Sequence, residues 1–136
     1  MLRNKHLEVA AKFHVLSVLH SLGLEANLAL TQPDSVDIAA LGPDGQTVTI
    51  DVKIVEGKRE WLVDHFRARK HHYVVVVAFS SENEGVVMRQ RAYVIASETL
   101  QKFVSRRKLK SVPLDVLKTE LAALDAWSLI TAEHAA

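Results

Sequence analysis

Two aspartates and a lysine are the residues of this sequence best placed to do chemistry. Asp37 lies in Val36-Asp37-Ile38-Ala39-Ala40, and beyond a Gly-Pro-Asp-Gly turn Asp51 and Lys53 lie in Thr49-Ile50-Asp51-Val52-Lys53-Ile54. Both runs are apolar and rich in β-branched residues, as strands are. The period of two puts Asp51 and Lys53 on one face of the second strand, with Val48, Ile50, Val52 and Ile54 on the other. A five-residue connection from Gly42 to Gln46 sets Ile38 opposite Ile50 and Asp37 opposite Asp51. Cβ atoms at such positions are about 4.5–5.5 Å apart, and like charges there destabilise unless something compensates. A divalent cation is the natural compensation, which makes this the outline of a metal-and-lysine cluster. A loop one residue shorter would send the two aspartates to opposite faces.

The elements that must position these residues can be read from periodicity. A helix is expected over 4–22, with Asn4 as N-cap and Gly23 as its stop. On its wheel Val18, Ala11, Leu22, Val15 and Leu19 share an arc about 100° wide, and Glu8 falls between Val15 and Leu19. A carboxylate aimed at a sheet needs a partner or a metal. The plainer account is that Glu8 reaches solvent one turn into the helix and pairs with Lys5 or Lys12. Strands are expected over 24–30, 35–41, 47–55, 73–79 and 91–96, and further helices over 59–70, 98–104 and 113–124. The run Tyr73 to Phe79 is continuously apolar, as in a strand buried on both faces. A strand, a helix and a second buried strand form a right-handed parallel crossover. Residues 80–90 read as a polar link, Ser97 as an N-cap and Pro113 as a first helical turn.

In this order, a helix carrying Glu8, Asp37 on a strand, a Gly-rich turn and Asp51-Val52-Lys53 on the next strand resemble the PD-(D/E)xK nuclease superfamily, which includes restriction endonucleases and archaeal Holliday junction resolvases. The likeness is nearest to small stand-alone bacterial members. These often show a Gly-Glu pair in the first helix, here Leu7-Glu8, a later strand like Tyr93-Val94-Ile95, and a Trp near the C-terminus, here Asp125-Ala126-Trp127. The likeness spans nearly the whole chain on a short motif. It departs from the pattern at Leu7, where the usual residue is Gly, and at Ala96, where many relatives have Pro.

The resemblance implies an α/β fold with a restriction endonuclease-like αβββαβ core, a mixed central sheet flanked by helices. It also implies a metal-dependent nuclease, an endonuclease ahead of an exonuclease. Asp37, Asp51 and the Val52 carbonyl would hold Mg²⁺ or Mn²⁺, since hard cations take oxygen ligands and keep several waters. Lys53 would orient the attacking water or stabilise developing charge. Glu8 would bind a second metal or steer that water. The partner would be nucleic acid, DNA ahead of RNA, and a homodimer is expected because so small a nuclease needs a second subunit to span a duplex. Two other classes stay open: a nucleic-acid or protein binding module whose chemistry has lapsed, and a structural ion cluster in which Lys53 is a salt-bridge partner of Asp51 or Asp37.

Composition bounds these readings. With 136 residues, 49% hydrophobic and 24% charged, the chain suits a single domain spanning 1–136. It has no cysteine, which excludes disulfides and thiolate zinc sites. No apolar run is long enough to cross a bilayer and residues 1–12 show no signal-peptide pattern, so a cytoplasmic location and no membrane partner are expected. A net charge of +1 announces no global field for nucleic acid. Local basic clusters at Lys58-Arg59, Arg67 to His72, and Arg106 to Lys110 matter only if they lie beside the acids. His65 and Lys70 could approach a phosphate backbone, or simply form a solvated helix face. The seven histidines lack metal-ligand spacing and read as surface or helix-edge residues. Trp61, Phe66 and Trp127 read as packing anchors. Asp34, after Pro33, suits an Asx turn better than a strand centre, so Asp37 is preferred to it.

Overall fold

The computed structural model describes residues 2–29, 37–57, 60–62, 66–82 and 87–133. In chain order the elements are α1 (Leu2–Ser21), β1 (Glu25–Leu28), β2 (Ile38–Leu41), β3 (Thr47–Glu56), β4 (Glu60–Leu62), β5 (His72–Glu82), β6 (Val87–Ala96), α2 (Ser97–Arg107), β7 (Ser111–Pro113), α3 (Leu114–Lys118) and α4 (Ser128–Glu133). Helix α1 buries Ala11, Val15 and Leu19, spaced four apart on one stripe. It stops at Gly23, whose φ of 87° a side chain would resist. The Leu24 amide then bonds back to the Leu19 carbonyl at 3.0 Å and launches β1.

A five-stranded mixed sheet runs in the order β1-β2-β3-β5-β6. Strands β1, β2 and β3 form an antiparallel meander, β3 and β5 are parallel, and β6 returns antiparallel to β5. The β2–β3 turn closes as its sequence demands. The Gly42 amide bonds the Gln46 carbonyl at 3.0 Å, Asp44 Oδ1 accepts from the Gln46 amide at 3.0 Å, and Gly45 takes φ 83°. The register that follows pairs Leu41 with Thr47 and Ile38 with Ile50, as the loop length requires.

The sheet is covered on both faces. On one, Ile38, Ala40, Val48, Ile50, Val52, Val75, Val77 and Val94 pack with the buried stripe of α1. On the other, Val55, Val74, Val76, Tyr93 and Ile95 pack with Leu100 and Val104 of α2 and with Trp61, Val112 and Leu117. Residues Tyr73 to Val77 are all buried, which is why that run carries no polar alternation. Each fully buried valine of this kind contributes about 1.5–3 kcal/mol.

Four expectations are corrected. No helix fills 59–70: Glu60–Leu62 is β4, paired antiparallel with β7, and residues 66–69 are irregular. Trp61 decides this, since it is 4% exposed, lies opposite buried Val112 and has its ring centroid 6.4 Å from that of Phe66. Tertiary burial overrides local propensity here. The helix expected over 113–124 shrinks to α3, and Pro113 stands before it in extended backbone at φ −62° and ψ 143°. The stretch after α3 instead turns through Ala122 and Asp125, both at positive φ, and lies along β6. There Val94 N donates to Ala123 O and Asp125 N to Ala92 O, each at 2.8 Å, around a Tyr93–Leu124 bridge. The supposed link at 80–90 largely continues β5 to Glu82 and opens β6 at Val87. Ser97 is the first residue of α2, and its hydroxyl clasps the Arg69 main chain, accepting from N at 3.1 Å and donating to O at 3.2 Å. The fold is therefore mixed α/β, with a mixed five-stranded sheet flanked by helices. No helix among the described residues is long and apolar enough to cross a membrane.

Candidate functional site

Asp51 is one of three buried polar residues among those described, with His72 and Ser97. The parallel register sets Thr49 beside His72 and Asp51 beside Val74. Alternation then places Thr49, Asp51 and His72 on the α2 side of the sheet. His72 Nε2 lies 3.1 Å from Asp51 Oδ2, and His72 Nδ1 lies 2.8 Å from Thr49 Oγ1. A carboxylate only accepts, so Nε2 carries a proton, while the other ring nitrogen is hydrogen-bonded to the threonine hydroxyl. The imidazole side chain is 0% exposed and that of Asp51 11%. Thr49, His72 and Asp51 are thus hydrogen-bonded in series. The His72 side chain is closed to solvent and has both ring nitrogens engaged, one by Thr49 and one by Asp51.

Sequence reasoning placed His72 at the surface, and the structure corrects this. The residue extends the buried run of β5 by one position, and only the β3–β5 register reveals that its side chain shares a face with Asp51. Sequence spacing alone carries no such signal.

Asp37 reaches the same stretch of β3 by another route. Its amide donates to the Ile50 carbonyl at 2.9 Å although Ile50 is already the partner of Ile38, so two consecutive residues address one, as at a β-bulge. The bulge takes Asp37 out of the simple pairing with Asp51 that its position predicts. Its carboxylate instead serves the edge of β3, with Oδ2 accepting from Val52 N at 2.7 Å and Oδ1 standing 3.4 Å from Lys12 Nζ on α1. The Asp37 side chain thus reaches the Asp51–Val52 peptide, while the Asp51 side chain turns to His72. A strand residue points its N–H and C=O to the same side. The Val52 carbonyl therefore also faces the side of β3 on which Asp37 lies.

Of the remaining candidates, Lys53 is half-buried on β3, two residues on from Asp51 and on the same face. Glu8 is exposed, so its carboxylate is not pressed against the sheet as the helical wheel suggested. The fully buried stripe of α1 begins at Ala11; in the turn before it Leu7 and Ala10 still pack against the core, while Glu8 is exposed. Glu8 stands four residues before Lys12, on the side of the helix that carries the Asp37 ion pair. Asp34, Lys58, Arg59 and His65 lie outside the described residues.

No family model matches this chain, and no curated protein or solved structure does either. Its function has to be read from the site alone.

Among the described residues no group of three or more His, Cys, Asp or Glu side chains is gathered as a metal cage. Mg²⁺ seldom needs one. It is commonly held by one or two carboxylates with waters and substrate phosphate completing six oxygens. Asp37, Asp51 and the Val52 carbonyl offer only oxygen donors, the kind such a cation takes, and Asp51 Oδ1 has no hydrogen-bond partner among the described residues. The donor chemistry fits a hard divalent cation.

A second feature lies beyond His72. An open cleft of about 340 Å³ is lined by residues including Arg69, Lys70, His71, Tyr73, Glu98 and Glu133. Glu133 of α4 bonds both the Tyr73 hydroxyl and His71 Nδ1, and the same hydroxyl donates to the Leu129 carbonyl at 3.2 Å. Burial, with the hydrogen bond and negative charge of Glu133 adding to it, raises the Tyr73 hydroxyl well above its ordinary pKa.

Proposed function

We propose that this chain is a divalent-metal-dependent nuclease that hydrolyses phosphodiester bonds, with DNA ahead of RNA as substrate. The observation that carries the reading is the hydrogen bond by which the Asp37 carboxylate reaches Val52 N, next in chain to Asp51, with Lys53 the second residue beyond Asp51 on the same face. The Asp37 and Asp51 carboxylates with the Val52 carbonyl would concentrate negative charge, which would suit a hard cation and, through it, a phosphate. Asp37, Asp51 and the Val52 carbonyl would hold Mg²⁺ or Mn²⁺. A bound cation of this class supplies charge neutralisation at the phosphate and a water acidic enough to ionise near neutral pH.

The chain's own residues do the rest. Lys53 sets a positive charge beside Asp51, where it orients the nucleophile or offsets charge developing on the phosphate oxygens. Lys12 neutralises Asp37 until a cation competes for the same oxygen. Glu8, exposed one turn before Lys12, is free to approach water at the rim. Arg67, Lys70, Arg106 and Lys108 are exposed, while Arg107 is paired with Glu120. A homodimer would let two such sites address both strands of a duplex.

A specific observation favours a second reading, a structural ion network on a domain that binds without cleaving. Each aspartate already has its own partner, Lys12 for Asp37 and His72 for Asp51. Single-turnover assays with Mg²⁺ and with Mn²⁺, on single-stranded, duplex and branched DNA and on RNA, decide between them. Cleavage that Asp51→Ala abolishes is expected of a nuclease. Mn²⁺ binding without cleavage of any substrate favours the binding module, and absence of both favours the ion network.

A further inference from the structure

The proposed metal site leaves unexplained why a histidine is sealed in the sheet behind Asp51. His72 is 1% exposed, lies on the interior strand β5, and spends both ring nitrogens on β3, Nδ1 at Thr49 and Nε2 at Asp51. A valine there would continue the apolar run and leave nothing to satisfy. Burying an imidazole at this position is useful only if its two hydrogen bonds are. The donor from Nε2 occupies Oδ2 of Asp51 and leaves Oδ1 as the oxygen without a partner among the described residues. A hydrogen bond on one carboxylate oxygen fixes rotation about the Cβ–Cγ bond, so the direction of Oδ1 is set as well. Thr49 acts one step further out, because its hydroxyl holds the ring through Nδ1.

Resting on the nuclease reading above, we infer that His72 is the positioning residue of the site: through Nε2–H it holds Asp51 in the single orientation that presents Oδ1 to a divalent cation, and Thr49 holds the His72 ring in place through Nδ1. His72 touches neither cation nor substrate. Outer-shell partners of this kind typically change metal affinity about 10- to 100-fold when removed.

The test measures binding of Mn²⁺ alone to the full chain, so that cleavage does not enter. His72→Leu, which keeps the volume and removes both hydrogen bonds, should weaken Mn²⁺ binding by about 10- to 100-fold. Thr49→Val should weaken it less. His72→Gln, which can return an N–H near the Nε2 position, should recover most of the loss. A readout on the unaltered protein stands in case His72→Leu does not fold: during titration with diamagnetic Mg²⁺, the His72 ¹⁵Nε2 resonance should move with the same saturation curve as binding. Wild-type Mn²⁺ binding that a folded His72→Leu matches, or a His72 resonance that stays still while Mg²⁺ binds, overturns the positioning role and leaves the metal site standing. A wild-type chain that binds neither ion overturns the nuclease reading and this inference with it.

Discussion

Asp37 has two jobs, and substitution separates them. Asparagine keeps an oxygen to accept from Val52 N and removes the charge, whereas alanine removes both. Asp37→Ala leaves a strand amide without its acceptor and should cost about 1–3 kcal/mol in urea denaturation. Asp37→Asn should lie within about 1 kcal/mol of wild type, because the partly exposed ion pair with Lys12 contributes no more than that. Both should lose Mn²⁺ affinity. If Asp37→Asn binds Mn²⁺ as wild type does, the charge of Asp37 is structural. Lys53 divides catalysis from mere metal binding in the same way. Lys53→Ala should reduce single-turnover cleavage by about 10²- to 10³-fold while Mn²⁺ affinity holds or rises. An unchanged rate removes the role given to that lysine.

Helix α4 is fastened to the sheet through the Glu133 bonds to Tyr73 and His71 and through the Leu129 carbonyl. Because the folded state raises the Tyr73 pKa above its ordinary value, that contribution to stability is complete below about pH 10 and is lost as pH rises beyond it. Wild type should therefore lose melting temperature above pH 10 more steeply than Tyr73→Phe, which has no proton to lose; parallel curves between pH 9 and 11 would refute the linkage. This element also marks where the sequence stops being legible. The stripe of α1, the β2–β3 register and the doubly buried β5 follow from periodicity and from one loop length, so they could be read in advance. Helix α4, the β4–β7 pair and the shortened α3 depend on contacts between distant segments, Trp61 with Val112 and Tyr73 with Glu133, which local patterns do not encode. At the site the spacing of Asp51 and Lys53 was legible. The bulge at Asp37, the exposure of Glu8 and the burial of His72 were not, since each depends on how two elements meet.

For the molecule as a whole, a cation that binds only the folded chain should raise its stability, by about 2.7 kcal/mol when free Mn²⁺ exceeds its dissociation constant a hundredfold. A melting temperature indifferent to millimolar Mg²⁺ and Mn²⁺ would argue for the ion network. The segment lying along β6 has a different consequence. An uncovered outer strand offers a row of amides and carbonyls to any passing chain, and here residues 123–125 occupy that row through Val94 N and Ala92 O. The Val94 amide is thus a clock for the detachment of this segment. In native-state hydrogen exchange it should open with a lower free energy than β5 amides at the sheet centre. Each such opening momentarily lays bare a templating edge, so self-association on storage should track Val94 exchange more closely than global unfolding.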